Sequence, residues 1–320
     1  MNIDRIRAAH GRIKSTIRET PLLSAPFLDD LVGKRVLVKA ECLQITGSFK
    51  FRGATSAISA LSEADRQHGI VAFSSGNHAQ GVALAAQKYD APATIIMPAD
   101  APRVKIENTQ AYGAEVILYD RASEDRDEIG ARLVAEKGLT LIKPFDNEEV
   151  IAGQGTCGLE IAAQTQGIEE AAVLVCCGGG GFLSGIATAL ADEKPGFTCH
   201  PVEPEGFDDV ARSLISGRIE RNAQTSGNIC DAIISPSPGQ ITFPIMQRLC
   251  GPGLTVSEEE ALRAMAMAFE HLRVVAEPGG AVALAAALFR TSHLPQDTII
   301  ATISGGNVDA AMFQRALEML

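Results

Sequence analysis

Four consecutive glycines, Gly178, Gly179, Gly180 and Gly181, follow the apolar run Ala172 to Val175 and the pair Cys176 and Cys177, and lead into a helical stretch from Phe182. Bare backbone between a strand and a helix suits anion binding. Without Cβ atoms the chain approaches a phosphate closely, the N–H groups at the helix start donate to it, and the helix dipole favours its charge. The spacing matches neither common nucleotide pattern: Leu183 stands where a third glycine would complete G-x-G-x-x-G, and Gly185 is followed by Ile186 rather than the lysine of a P-loop. A plain strand-to-helix turn is the other reading, and a glycine run is a costly way to make one.

Ser48, Phe49, Lys50, Phe51, Arg52 and Gly53 form a second candidate. A lysine flanked by aromatic rings can be partly desolvated, which disfavours the ammonium and leaves the nucleophilic amine that Schiff-base chemistry requires. Taken alone, the same pattern reads better as a surface lysine whose stem covers apolar area. A third cluster, Ser74, Ser75, Gly76, Asn77, His78, Ala79, Gln80 and Gly81, sits where the strand Ile70 to Phe73 gives way to a helix. Hydroxyl, amide and backbone donors at such a turn can hold a carboxylate, and they can equally be a polar helix cap.

Together these motifs carry a resemblance. The chain resembles the serine/threonine dehydratase and serine racemase family of fold-type-II pyridoxal-phosphate enzymes over nearly its whole length. SFKFRG looks like the cofactor-lysine motif, SSGNH like the substrate-carboxylate loop and GGGG like the phosphate loop, in the family's order. The resemblance implies that Lys50 carries pyridoxal phosphate, Phe49 packs beside its ring and Asn77 bonds its phenolic oxygen. Gly178 to Gly181 would hold its phosphate, and Ser304 would partner the pyridine nitrogen. A hydroxyl there stabilises a cationic ring nitrogen less than a carboxylate would, which favours β-elimination over transamination.

Ser75 resembles the family's acid/base on the face opposite Lys50, and Ser75, Gly76 and His78 belong to the implied substrate loop. Arg126 looks aligned with a family arginine that reaches the substrate's β-substituent, where a second carboxylate would fit it. Its other reading is a solvated helix residue in EDRDEIGAR. The segment Glu203 to Asp209 resembles a divalent-cation loop, with the Glu203 and Asp209 carboxylates and the Phe207 carbonyl as ligands. Such oxygen donors suit magnesium, calcium or manganese, although acidic loops are usually only solvated.

The implied activity is dehydration of a small β-hydroxy amino acid. 3-Hydroxyaspartate, giving iminosuccinate and then oxaloacetate with ammonia, stands first, and threonine or serine next. Serine or aspartate racemisation and an inactive cofactor-binding protein are the alternatives. No C-terminal regulatory domain is evident, as in a catabolic enzyme, and the family suggests a homodimer.

The bulk properties agree with a small-molecule partner. The 320 residues are 46% hydrophobic and 21% charged, enough for a sizeable core, and the net charge of -11 argues against a nucleic-acid binder. The N-terminus MNIDRIRAAHGRIK lacks the apolar core of a secretory signal, which points to the cytoplasm, and the apolar stretch Gly279 to Phe289 is too short to span a bilayer. Seven scattered cysteines lack metal or redox spacing, so they are expected to be reduced and buried. Of six histidines only His78 falls in a motif. Asp29 with Asp30, and Glu258 to Glu260 after Ser257, offer paired carboxylates, the latter reading as a helix cap.

The elements that must position these groups alternate. Expected strands are Ile70 to Phe73, Ala93 to Met97, Val116 to Tyr119, Leu139 to Ile142, Ala172 to Val175 and Thr298 to Ile303. Between them fall helical stretches at Gly81 to Tyr89, Glu124 to Glu136, Phe182 to Ala191, Glu258 to His271 and Ala281 to Arg290. This alternation argues parallel sheets with crossover helices, and the resemblance implies an α/β fold of two open twisted parallel-sheet domains, tryptophan synthase β-like, with the cofactor between them. Residues 1–50 and 147–320 would form the large domain, and a small mobile substrate domain would be inserted at 51–146.

Overall fold

Ala171–Cys176 is buried at all six positions, as a parallel strand covered by helices on both faces must be. Its alternate side chains enter different cores. Ala172, Leu174 and Cys176 pack with the helix Pro278–Phe289, while Ala171, Val173, Val175 and Cys177 pack with Phe182, Leu183 and Ile186. The computed structural model describes residues 1–320 apart from Ser75, Pro102 and Arg121.

The strands are β1 (Leu22–Ser24), β2 (Arg35–Ala40), β3 (Ile70–Phe73), β4 (Ala93–Pro98), β5 (Glu115–Tyr119), β6 (Thr140–Leu141), β7 (Ala171–Cys176), β8 (Phe197–Pro204), β9 (Leu254–Val256) and β10 (Thr298–Ile303). They form a six-stranded sheet in the order β1-β2-β10-β7-β8-β9 and a four-stranded sheet in the order β5-β4-β3-β6. Only β1 runs antiparallel to its neighbour. The smaller sheet is drawn wholly from β3 to β6, and the chain on either side of that stretch supplies the larger one.

The six expected strands are present. β1, β2, β8 and β9 were not anticipated, for two physical reasons. β1 and β9 are three-residue edge strands. β2 and β8 bury residues that normally argue against a core strand: Lys39 on β2 is neutralised by Glu160, and β8 buries His200 and Glu203.

The expected helices are also present, with shifted ends. The one expected from Gly81 begins earlier, at Asn77, and the helix from Glu258 runs to Met267 before a π turn over Ala268–Leu272. Ser257 and Glu260 form a reciprocal capping box, so the acidic cluster there is a cap. All seven cysteines are free thiols, and all but Cys250 are buried. Among the described residues no helix is long and apolar enough to cross a membrane.

The helix Lys50–Ala60 packs against the helix Glu148–Gln164 through missing side chains. A Cβ on Gly153 would stand 2.4 Å from the Arg52 carbonyl oxygen, so only glycine permits that approach. Beside this crossing lies a buried ion cluster. The Arg52 guanidinium donates to both Glu41 oxygens at 2.7 and 2.8 Å and to both Glu160 oxygens at 2.6 and 2.8 Å, and Lys39 Nζ donates to Glu160 at 2.6 Å. Two cations face two carboxylates, so the charge cancels where desolvation would otherwise be prohibitive. The cluster clamps the helix two residues after Lys50.

Candidate active site

The motifs converge at the carboxyl ends of β3, β7 and β10, where open parallel sheets place ligands. Lys50 opens the helix Lys50–Ala60, and its Nζ donates to the Pro144 carbonyl at 2.8 Å and lies 5.2 Å from the Phe49 ring centre. No carboxylate pairs with it among the described contacts. Surrounding protein desolvates the ammonium and brings its pKa down to about 8, which leaves a useful fraction of free amine near neutral pH. Phe49 stacks on Phe182 at 4.1 Å, which fixes one wall beside the lysine.

The tetraglycine follows β7. Gly180 has φ +89°, a left-handed conformation that caps the start of the helix Gly181–Glu193. At Gly179 an added Cβ would meet the Phe145 ring at 2.3 Å, and at Gly178 it would meet the Ile233 carbonyl oxygen at 2.7 Å. Neighbouring walls therefore already occupy the space that side chains would take. A narrow cavity of about 40 Å³ between the glycines, Phe145 and Gln154 adjoins a cleft of about 220 Å³ through the shared walls Lys50, Phe145 and Ser235. Gln154 is completely buried on the narrow cavity, and both of its amide atoms lack a partner. Close backbone, a helix start and an orphaned amide fit the phosphate end of a ligand.

The third motif lines the wider cleft with Ser74, Gly76, Asn77 and His78. Ser75 lies outside the described residues. Asn77 Nδ2 donates to Glu277 at 2.6 Å, and its Oδ1 accepts from Asn307 Nδ2 at 2.7 Å. Burial lifts the Glu277 carboxyl to about 7 against the opposing Asn77 hydrogen bond. His78 Nε2 is 2.9 Å from the Ile142 carbonyl, and burial, reinforced by nearby Lys50, holds the ring neutral with a pKa of about 3. A neutral ring must then donate from Nε2. Ser304, buried after β10, accepts from the Phe49 N–H at 3.1 Å through its carbonyl and so ties that strand end to the lysine segment.

Arg126 begins the helix Arg126–Lys137, is exposed to the cleft and lies 5.3 Å from the Phe73 ring centre. Lys105 joins it on the same cleft, with Nζ 3.8 Å from the Asp231 carboxylate. Sequence reasoning missed Lys105, Phe145, Gln154, Glu277 and Asn307. Lys105 lies on an ordinary polar helix, and Phe145 and Gln154 belong to no pattern. Glu277 could have been flagged as an acid directly before the helix-opening Pro278.

The acidic segment lies elsewhere, at the end of β8. The Glu203 carboxylate accepts from the Val210 and Ala211 N–H groups at 2.9 and 2.8 Å, and Asp209 accepts from Asn222, leaving Asp209 Oδ2 buried without a partner. Burial and, at Glu203, the neighbouring Asp209 raise both carboxyls, Glu203 strongly and Asp209 to about 6. Phe207 is buried between them in sequence. Among the described residues no group of three His, Cys, Asp or Glu side chains clusters, so a set here must include carbonyl oxygens.

A family model described as pyridoxal-phosphate dependent enzyme matches residues 13–305. L-threo-3-hydroxyaspartate ammonia-lyase of Saccharomyces cerevisiae is 42% identical over 301 residues, covering 94% of this chain and 91% of that protein. The T.th. threonine deaminase superposes with a TM-score of 0.91 at 46% identity, covering 97% of this chain and 99% of that one. Maize serine racemase gives a TM-score of 0.93 at 37% identity, with coverages of 99% and 97%. With a lysine, a glycine cradle and a polar loop meeting between its sheets, and with these likenesses along its whole length, the chain belongs to the pyridoxal-phosphate dependent enzyme family.

Proposed function

We propose that the protein is a dehydratase, or ammonia-lyase, of small β-hydroxy amino acids, and that 3-hydroxyaspartate is its preferred substrate. The observation that carries the choice is that Lys105 and Arg126 line one cleft with Lys50, Ser74, Gly76 and Asn77. A substrate with two carboxylates has a use for two cations beyond the loop that takes the first. The yeast relative that shares 42% identity acts, by its name, on L-threo-3-hydroxyaspartate.

Pyridoxal phosphate supplies an electron sink for the substrate's Cα. The chain's own groups do the rest. Lys50, held beside Phe49, would hold the cofactor through its amine and would take the Cα proton. Gly76 and the neighbouring loop grip the α-carboxylate, His78 steadies that loop through Ile142, and Ser75 serves the opposite face. Asn77, braced by Glu277 and Asn307, is set to bond the phenolic oxygen, and Ser304 to partner the pyridine nitrogen. The glycines at 178–181 take the phosphate. Loss of the β-hydroxyl as water and hydrolysis of the resulting imine give oxaloacetate and ammonia.

The same reading assigns Glu203, Asp209 and the Phe207 carbonyl to a divalent cation, magnesium, calcium or manganese. Two buried carboxylates with one orphaned oxygen are the support for it. Residues 51–146 are read as the domain that closes over substrate, with the Lys105–Asp231 pair reaching across the cleft. Exposed Phe27, Leu31, Phe269 and Val275 suit a homodimer, and the working compartment is the cytoplasm.

Ammonia release measured on L-threo-3-hydroxyaspartate, threonine and serine tests the proposal. The highest kcat/KM is expected on hydroxyaspartate; a preference for threonine or serine overturns the substrate, and racemised serine with no ammonia overturns the reaction.

A further inference from the structure

The completely buried Gln154 is the most unusual polar side chain near the site. It projects from the helix Glu148–Gln164 into the narrow cavity lined by the tetraglycine, and neither Nε2 nor Oε1 has a hydrogen-bond partner. A buried amide left unpaired is destabilising, so a native fold keeps one only where something else completes it. The position of the group narrows what that something is. Gln154 Oε1 lies 2.7 Å from where a Cβ of Gly181 would stand, and Gly181 is the first residue of the helix Gly181–Glu193. The amide therefore faces the same space as the helix-start N–H groups.

Charge supplies the second constraint. Among the described residues lining this cavity Lys50 is the only cation, and its amine is committed to the aldehyde end of the cofactor. An anion held against the glycines is thus met by dipoles alone. Since nothing fixes the amide's orientation in the free protein, an acceptor-only ligand turns Nε2 inward, and a phosphate dianion is such a ligand.

We infer that Gln154 is a phosphate-reading residue, its Nε2 donating to the phosphate of the cofactor as a side-chain donor added to a cradle built mainly of backbone. This rests on the cofactor reading. It makes a crossed prediction: the side chain weakens the cofactor-free fold and strengthens the loaded one.

Gln154→Met keeps the length and removes both polar atoms. Dissociation constants for pyridoxal phosphate and for phosphate-free pyridoxal are measured from the absorbance each forms with Lys50, alongside the thermal midpoint of the cofactor-free protein. The expected result is roughly a 10- to 100-fold weaker hold on pyridoxal phosphate, the span of one hydrogen bond to a charged group. Pyridoxal binding is unchanged, and the cofactor-free midpoint is equal or higher. Equal losses for both aldehydes, or no loss for either, overturn the inference. Should the methionine variant unfold, Gln154→Glu decides, since a carboxylate facing the phosphate must weaken pyridoxal phosphate selectively, and an unselective effect overturns the assignment. Wild-type protein that gives no absorbance change with pyridoxal phosphate or pyridoxal overturns the cofactor reading itself.

Discussion

Lys50 Nζ donates to the Pro144 carbonyl at 2.8 Å, a neutral acceptor that orients the amine without stabilising its charge as a carboxylate would. With the amine's pKa near 8, the native protein holds one proton fewer than the unfolded chain between about 8 and 10.5. The contribution of this group to cofactor-free stability therefore rises with pH across that window and is lost as pH falls through about 8. Capture of pyridoxal phosphate by the cofactor-free protein should accelerate with pH around the same midpoint. Stopped-flow absorbance from pH 6.5 to 9.5 checks it, and Lys50→Ala should abolish the signal.

Lys105 and Arg126 should both discriminate between substrates. Replacing either by Ala is expected to lower kcat/KM on 3-hydroxyaspartate about 10- to 100-fold, in line with one charge-assisted hydrogen bond, with little change on serine. Parallel losses on the two substrates would mean that these residues shape the cleft without reading the second carboxylate.

Magnesium should raise the thermal midpoint at pH 7.5, and a chelator should reverse the rise. In Asp209→Asn the increase is expected to vanish while the chelated protein stays at least as stable as the parent, because a buried carboxylate with one unpartnered oxygen has been replaced by a neutral amide. Differential scanning fluorimetry with and without magnesium resolves both effects.

Breaking the buried ion cluster should be far more damaging than its distance from the chemistry suggests. Arg52→Ala leaves Glu41 and Glu160 without their shared partner, at a cost of about 3–5 kcal/mol. Denaturant unfolding measures this loss. Adding Glu41→Gln to the same variant should recover part of it, because Glu160 then still neutralises Lys39.

From the linear chain alone, strand-helix alternation determined an α/β fold, because apolar runs of strand length between helical stretches have few ways to be buried. The motifs around Lys50 and the tetraglycine could be picked out because each is a run of adjacent residues, but taken alone the lysine reads as a surface residue, and its role comes from the resemblance. Reduced, buried cysteines were expected from the residue type and the absence of metal or redox spacing, and all but Cys250 are buried. Strands β2 and β8 stayed hidden because their buried Lys39 and Glu203 are tolerable only beside Glu160 and the helix start at Val210, partners remote or out of register in the chain.

What tertiary structure decided is every relationship across a gap in sequence. It brought Glu277 and Asn307 to Asn77, Pro144 to Lys50 and Gln154 to Gly181, and it set Lys105 beside Arg126 on one cleft. The pKa values follow from the same cause. Burial and neighbouring charge set them, and both are properties of packing around a residue, which its type and spacing do not encode.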